Sequence, residues 1–305
     1  MLMSSCLRRG TVAAFACLAL SITACESGSS GSTDADVEAG SANADAMSSE
    51  NVDDTPVANA ATDVALRRAV VSERLPYADV NDQLVYGHFV FPSDMVEPLP
   101  AVIMIHEWWG LNDDIRAMAD RLAGEGYIVL AVDLFGGNVA TTPEEARLRM
   151  LSVVENPEPA SENIRKAYEF VNATAGAPRI GSLGWGFGGG WSLNTAMLFT
   201  EELDATVTYY GPVTEDEDRL RAINSPILGL FGAEDKGITV DSVQLFEAAL
   251  ERLRKNYEIH IYPGADHAFA NSSGPAYDAA AAEDAWQKTV EFLDLHLAIG
   301  SAEGV

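Results

Sequence analysis

Residues 179–200 read RIGSLGWGFGGGWSLNTAMLFT. A strand-length apolar run, Arg179–Gly184, meets a turn in which Gly184, Gly186 and Gly188 alternate with Trp185 and Phe187. The chain then opens at once into a helical pattern, Gly188–Thr200. Glycines so dense at a strand-to-helix turn mark backbone that approaches other backbone closely, or takes angles that a side chain resists.

The same alternation extends in both directions. Apolar runs at Leu84–Phe91, Ala101–His106, Tyr127–Asp133, Ala205–Tyr210, Ile227–Phe231 and Tyr257–Tyr262 have strand length and mostly β-forming residues. Helical patterns fall at Asp113–Ala123, Pro143–Val154, Glu162–Thr174, Val240–Lys255 and Ala276–Ala298. Asn112 stands before an acidic first turn, and Thr142-Pro143-Glu144-Glu145 combines an N-cap, an N1 proline and acids at the positive helix end. The middle strands, Ala101–Ile105 and Ile128–Val132, are apolar throughout, as parallel strands covered on both faces must be. These features predict an α/β fold: a doubly wound, mostly parallel sheet flanked by helices, with its site at the carboxyl ends of the strands and no separate lid domain.

Polar residues gather at those ends. His106-Glu107-Trp108-Trp109-Gly110 follows one strand, Asp133-Leu134-Phe135-Gly136 another, Gly232-Ala233-Glu234-Asp235 a third, and Pro263-Gly264-Ala265-Asp266-His267-Ala268-Phe269 the last. The turn at Gly184–Gly188 has the shape of a nucleophile elbow, with Asp235 and His267 following in the α/β-hydrolase order. Three such elements in order, each at a strand's end, rarely coincide by chance.

On these segments the chain resembles the dienelactone hydrolase family of α/β-hydrolases over roughly residues 68–298. The resemblance implies a triad of nucleophile, Asp235 and His267, with Glu107 beside the nucleophile and an oxyanion hole built from the backbone N–H groups of Phe187 and Trp108. It implies hydrolysis of small esters or lactones without metal or organic cofactor. Trp109 and Trp185 are expected among the substrate-contacting walls.

Two positions depart from the family. The elbow residue is Gly186, where the family carries cysteine, or serine in more distant hydrolases. Glycine has no thiol or hydroxyl for a base to activate. Ser182 falls inside the predicted strand and Ser192 on the following helix, so neither is expected at the site. Asn271 stands where the family's archetype has an arginine for the substrate carboxylate, which argues against dienelactone itself as substrate.

Three readings follow. In the first, His267 oriented by Asp235, or Glu107, activates water directly in the space the missing side chain leaves. In the second, the protein is a catalytically silent pseudoenzyme that binds a small ester, lactone or acid. In the third, it is a structural envelope lipoprotein. Retention of Asp235, His267 and Glu107 together favours chemistry.

Other histidines carry no site pattern: His106 reads as a hydrogen-bonded core residue, and His88, His260 and His296 as structural or surface groups. Their spacing fits no zinc motif, and Gly188-Gly189-Gly190 lacks the Lys-Ser/Thr of a phosphate loop. Asp133 is expected to organise loops, and Glu215–Asp218 to begin a solvated helix.

Composition constrains partners and compartment. The 305 residues hold 46 Asp+Glu against 19 Lys+Arg, a net charge of −27, which repels phosphate backbones and excludes a general nucleic-acid binder. Residues 1–24 join Arg8 and Arg9 to an apolar run, Thr11–Ile22, too short to span a bilayer, and read as a lipoprotein signal peptide. Small residues just before Cys25 resemble a bacterial lipobox, implying cleavage and lipid attachment at Cys25; Glu26 points to the outer membrane, facing the periplasm. All three cysteines lie in the first 25 residues, which leaves the rest of the chain without a disulfide framework. Residues 26–63 hold nine acids, no Lys or Arg and almost nothing large, and read as a disordered tether. Residues 64–305 form the expected hydrolase-like domain.

Overall fold

The computed structural model describes residues 65–298. The signal-like segment, Cys25 and the acidic tether lie outside the described residues. Among the described residues no helix is long and apolar enough to cross a membrane.

Eight strands, β1 (Val70–Val80), β2 (Gln83–Pro92), β3 (Ala101–Ile105), β4 (Ile128–Val132), β5 (Ile180–Trp185), β6 (Ala205–Tyr209), β7 (Ile227–Gly232) and β8 (Tyr257–Tyr262), form one sheet in the order β1-β2-β4-β3-β5-β6-β7-β8. The β1–β2 and β2–β4 pairs are antiparallel; every later pair is parallel. Among the described residues seven α-helices accompany it: α1 (Asp113–Glu125), α2 (Pro143–Glu155), α3 (Glu158–Glu169), α4 (Phe187–Leu198), α5 (Glu217–Arg221), α6 (Val240–Arg252) and α7 (Ala279–Leu297).

Strict alternation along β3 and β4 separates two cores. Val102, Met104, Val129 and Ala131 pack with Ile115, Ala119 and Leu122 of α1 and Trp286, Phe292 and Leu293 of α7. Ile103, Ile105, Leu130 and Val132 face the other way, toward Met150 of α2, Ile164 of α3, Trp191 of α4 and Phe246 of α6. Both strands are buried on both faces, each large side chain contributing roughly 1.5–3 kcal/mol. The expected caps form: Asn112 accepts from the Ile115 N–H at 3.1 Å, and Thr142 from Glu145 at 3.3 Å.

Boundaries differ where local chemistry overrides pattern. Strand β1 was not expected, because its exposed edge carries Ser72, Glu73 and Arg74, and its register shifts between Pro76 and Ala78. Pro tolerates only such edge or bulge positions. Asn81 and Asp82, both with positive φ (53° and 60°), close the β1–β2 hairpin. The helix expected at Glu162–Thr174 begins four residues earlier and widens into a π-turn over Phe170–Thr174. The last helix is three residues shorter at its start than expected, since Asp278 caps it by accepting from Ala280 and Ala281.

Backbone-to-backbone contact fixes the β5–α4 turn. A Cβ on Gly184 would lie 2.1 Å from the Gly188 carbonyl oxygen, and one on Gly188 would lie 2.3 and 2.4 Å from the carbonyl oxygens of Ile105 and His106. One on Gly189 would strike the Tyr209 carbonyl oxygen at 2.7 Å. The turn is thereby wedged between the ends of β3 and β6. Gly188→Ala should cost about 3 kcal/mol or more in urea unfolding, because backbone must move to admit it. Gly190→Ala, whose Cβ meets only the Pro212 ring at 3.1 Å, should be close to neutral.

Candidate active site

Gly186 sits at the crest of this turn with φ 52° and ψ −116°, before the first residue of α4. That region costs a residue with a side chain about 1–3 kcal/mol and costs glycine little. Its N–H donates to the Tyr209 carbonyl at 2.9 Å, and its own carbonyl accepts from Gly190 at 3.1 Å. The elbow is therefore fully built around a residue without a side chain.

Asp235 and His267 meet across the loops that follow β7 and β8. The loop after β7 lies against the loop after β8: a Cβ on Gly232 would stand 2.5 Å from the Ala265 carbonyl oxygen, and Glu234 N–H donates to that oxygen at 2.9 Å. Asp235 Oδ2 accepts from His267 Nδ1 at 2.8 Å. Asp235 Oδ1 takes the N–H groups of Gly237 at 2.9 Å and Ile238 at 2.7 Å. Both side chains are almost wholly buried. Three donors satisfy the carboxylate, and Nδ1–H given to Asp235 leaves the basic lone pair of the imidazole on Nε2.

Glu107, the second residue after β3, is joined to this pair by Tyr210. The Tyr210 hydroxyl donates to Glu107 Oε1 at 3.1 Å, and its ring meets the His267 ring at 5.2 Å between centroids, edge to face. Asn271 Nδ2 donates to Glu107 Oε2 at 3.2 Å. Asn271 is thus occupied within the site's own hydrogen bonding.

Phe187, the first residue of α4, carries one of the first-turn N–H groups that a helix cannot satisfy internally. Trp108 follows Glu107 at the end of β3. Among the described residues no three His, Cys, Asp or Glu side chains cluster to hold a metal.

A family model for the dienelactone hydrolase family matches residues 86–297. The chain belongs to that family. It is 35% identical over 234 residues to a Saccharolobus solfataricus protein bearing the name carboxymethylenebutenolidase, covering 64% of this chain and 89% of that one. A similarly named Escherichia coli protein is 32% identical over 227 residues, covering 66% and 79%. A dienelactone hydrolase crystal structure from Klebsiella pneumoniae superposes with a TM-score of 0.67 at 26% identity, over 74% of this chain and 98% of that one.

As a member of this family the chain places its remaining sequence-predicted residues as follows. Trp109 is buried beside Trp108, ring centroids 4.8 Å apart. Trp185 packs on Tyr209 in the layer of α1 and α7, and lines a small cavity with Met118 and Trp286. That cavity includes neither Glu107 nor His267. Ser182 and Ser192 bond one another at 2.8 Å inside the core. His106 donates Nδ1–H to the Glu107 carbonyl at 2.6 Å and accepts Leu134 N–H at 3.0 Å on Nε2; burial lowers its pKa and keeps it neutral. Asp133 accepts from Phe135 at 2.8 Å and from Gly137, organising its loop.

Tyr210 was missed by sequence reading, although it ends the Ala205–Tyr210 run just before Gly211-Pro212. The strand-end rule that selected Glu107 and Asp235 selects Tyr210 as well. Its φ of 35°, rare for an aromatic residue, adds a mark that only the structure supplies.

Proposed function

We propose that this protein hydrolyses a small neutral ester or lactone, with His267 and Asp235 activating water because Gly186 supplies no nucleophile. The arrangement of Glu107, Tyr210 and the Asp235–His267 pair around an intact elbow carries this reading. Water attacks the carbonyl carbon while His267 Nε2 takes its proton. The developing oxyanion lies toward the N–H groups of Phe187 and Trp108. As the tetrahedral adduct collapses, His267 returns the proton to the leaving alkoxide, giving an acid and an alcohol. Glu107 is the second candidate base.

A neutral substrate fits the electrostatics. Asn271 is directed at Glu107, and a net charge of −27 holds anions away. The glycine itself favours the alternative of a silent, ligand-binding pseudoenzyme, with a purely structural envelope protein behind it. We also place the protein in the cell envelope, held by lipid on Cys25 at the outer membrane.

Hydrolysis of p-nitrophenyl acetate by the wild type, lost in His267→Ala, is the expected result. Turnover by Gly186→Cys alone would identify a pseudoenzyme on a sound scaffold, and silence from every variant would favour the structural role. The neutral ester should exceed a succinyl analogue in kcat/KM, with the gap narrowing as salt screens the field; equal rates would remove the electrostatic argument. Expressed in a Gram-negative bacterium, the wild type should fractionate with outer membranes and Cys25→Ala should not.

A further inference from the structure

We propose that Asp114 is a positioning residue held as the neutral acid, and that through Ser273 it fixes the Asn271 amide that holds Glu107. The proposal rests on the hydrolase reading only for its consequence in catalysis; the proton itself is a property of the fold.

The hydrogens along this chain can be counted. Ser273 N–H donates to Asn271 Oδ1 at 3.1 Å. A backbone N–H is always a donor, so that atom of Asn271 is the oxygen, and the amide nitrogen faces Glu107 Oε2 at 3.2 Å. Ser273 Oγ lies 2.9 Å from Asn271 Oδ1 and 2.5 Å from Asp114 Oδ2. Both neighbours are acceptors if Asp114 is ionised, and one hydroxyl hydrogen cannot serve both. A proton on Asp114 Oδ2 resolves the conflict. Asp114 then donates to Ser273 Oγ, Ser273 donates to Asn271 Oδ1, and Asn271 donates to Glu107.

The other carboxyl oxygen supports the same state. Asp114 Oδ1 is buried with no hydrogen-bond partner, which a charged carboxylate tolerates far less than the carbonyl of a neutral acid. Burial raises the Asp114 pKa and Asp113 beside it adds like charge, against the lowering effect of the Ser273 hydroxyl if that group donates to the carboxylate. The nearby Arg116 guanidinium reaches Asp113 at 3.6 Å and the Leu111 carbonyl at 3.0 Å instead. The N-terminus of α1, where Asp114 occupies the first turn, pulls the other way; burial with an orphan oxygen outweighs it. The result is a line of donors running from α1 through the loop after β8 to Glu107.

Carbon-13 NMR of the full-length protein, labelled at Asp and Glu side-chain carboxyls, tests this without requiring turnover. A protonated carboxyl signal is expected at pH 7, and it should vanish in Asp114→Asn, which identifies it. The Glu107 signal, identified by Glu107→Gln, should titrate as in wild type in Asp114→Asn, whose amide also donates to Ser273. In Asp114→Ala it should shift. If the wild type hydrolyses p-nitrophenyl acetate, Asp114→Ala should lose between about tenfold and a hundredfold in kcat at similar KM, as misplacement of one reacting group does, and Asp114→Asn should restore it. An ionised Asp114 at pH 7, or a Glu107 titration indifferent to Asp114→Ala, overturns the proposal. Absence of turnover with the NMR pattern intact would overturn the hydrolase reading alone.

Discussion

The site depends on a contact between backbones. Gly184, Gly188 and Gly189 let the β5–α4 turn press against the carbonyl ends of β3 and β6 at distances that exclude any Cβ. Every functional group is placed by what those strand ends carry next: Glu107 after β3, Tyr210 after β6. The Gly232–Ala265 approach does the same for the pair farther along the sheet, setting Asp235 within 2.8 Å of His267. The geometry of the Asp235–His267 pair is thus a consequence of sheet order and close packing.

Gly186 separates two properties that hydrolase elbows usually combine. Strain at the crest is ordinarily the cost of presenting a nucleophile. Here the same angles are adopted by the residue that bears them most easily, so the backbone donors remain in place while the attacking group is gone. Chemistry at such a site must draw its nucleophile from solvent, and the part left to the protein is proton transfer and charge stabilisation. Hydrolases deprived of a triad member still retain about 10³–10⁴-fold catalysis over water from the oxyanion hole and binding.

Much of this was legible in the sequence, for identifiable reasons. The parallel strands β3 and β4 are apolar on both faces and announce their own burial, and the strand-end segments announce the site because catalytic groups must sit where the sheet's carboxyl ends converge. Strand β1 was illegible because an edge strand with one solvated face and a bulge at Pro76 lacks the apolar run that marks its neighbours. Asp114 read as an ordinary first-turn acid on α1, since its partner Ser273 lies 159 residues away and no local pattern joins them.

The surviving Asp235–His267 pair does not by itself argue for catalysis. Removing one partner strands the other, and breaking a buried pair in this way costs about 3–5 kcal/mol. A scaffold that had lost its nucleophile would therefore tend to keep the pair by inertia. Glu107 is under a weaker constraint of this kind, since it is only partly buried. Its carboxyl is supplied with two neutral donors, one of them tied through Ser273 to Asp114 of α1. On the proposed hydrolase reading that orientation has a use, and Glu107, more than the Asp235–His267 pair, is the residue whose retention the reading explains.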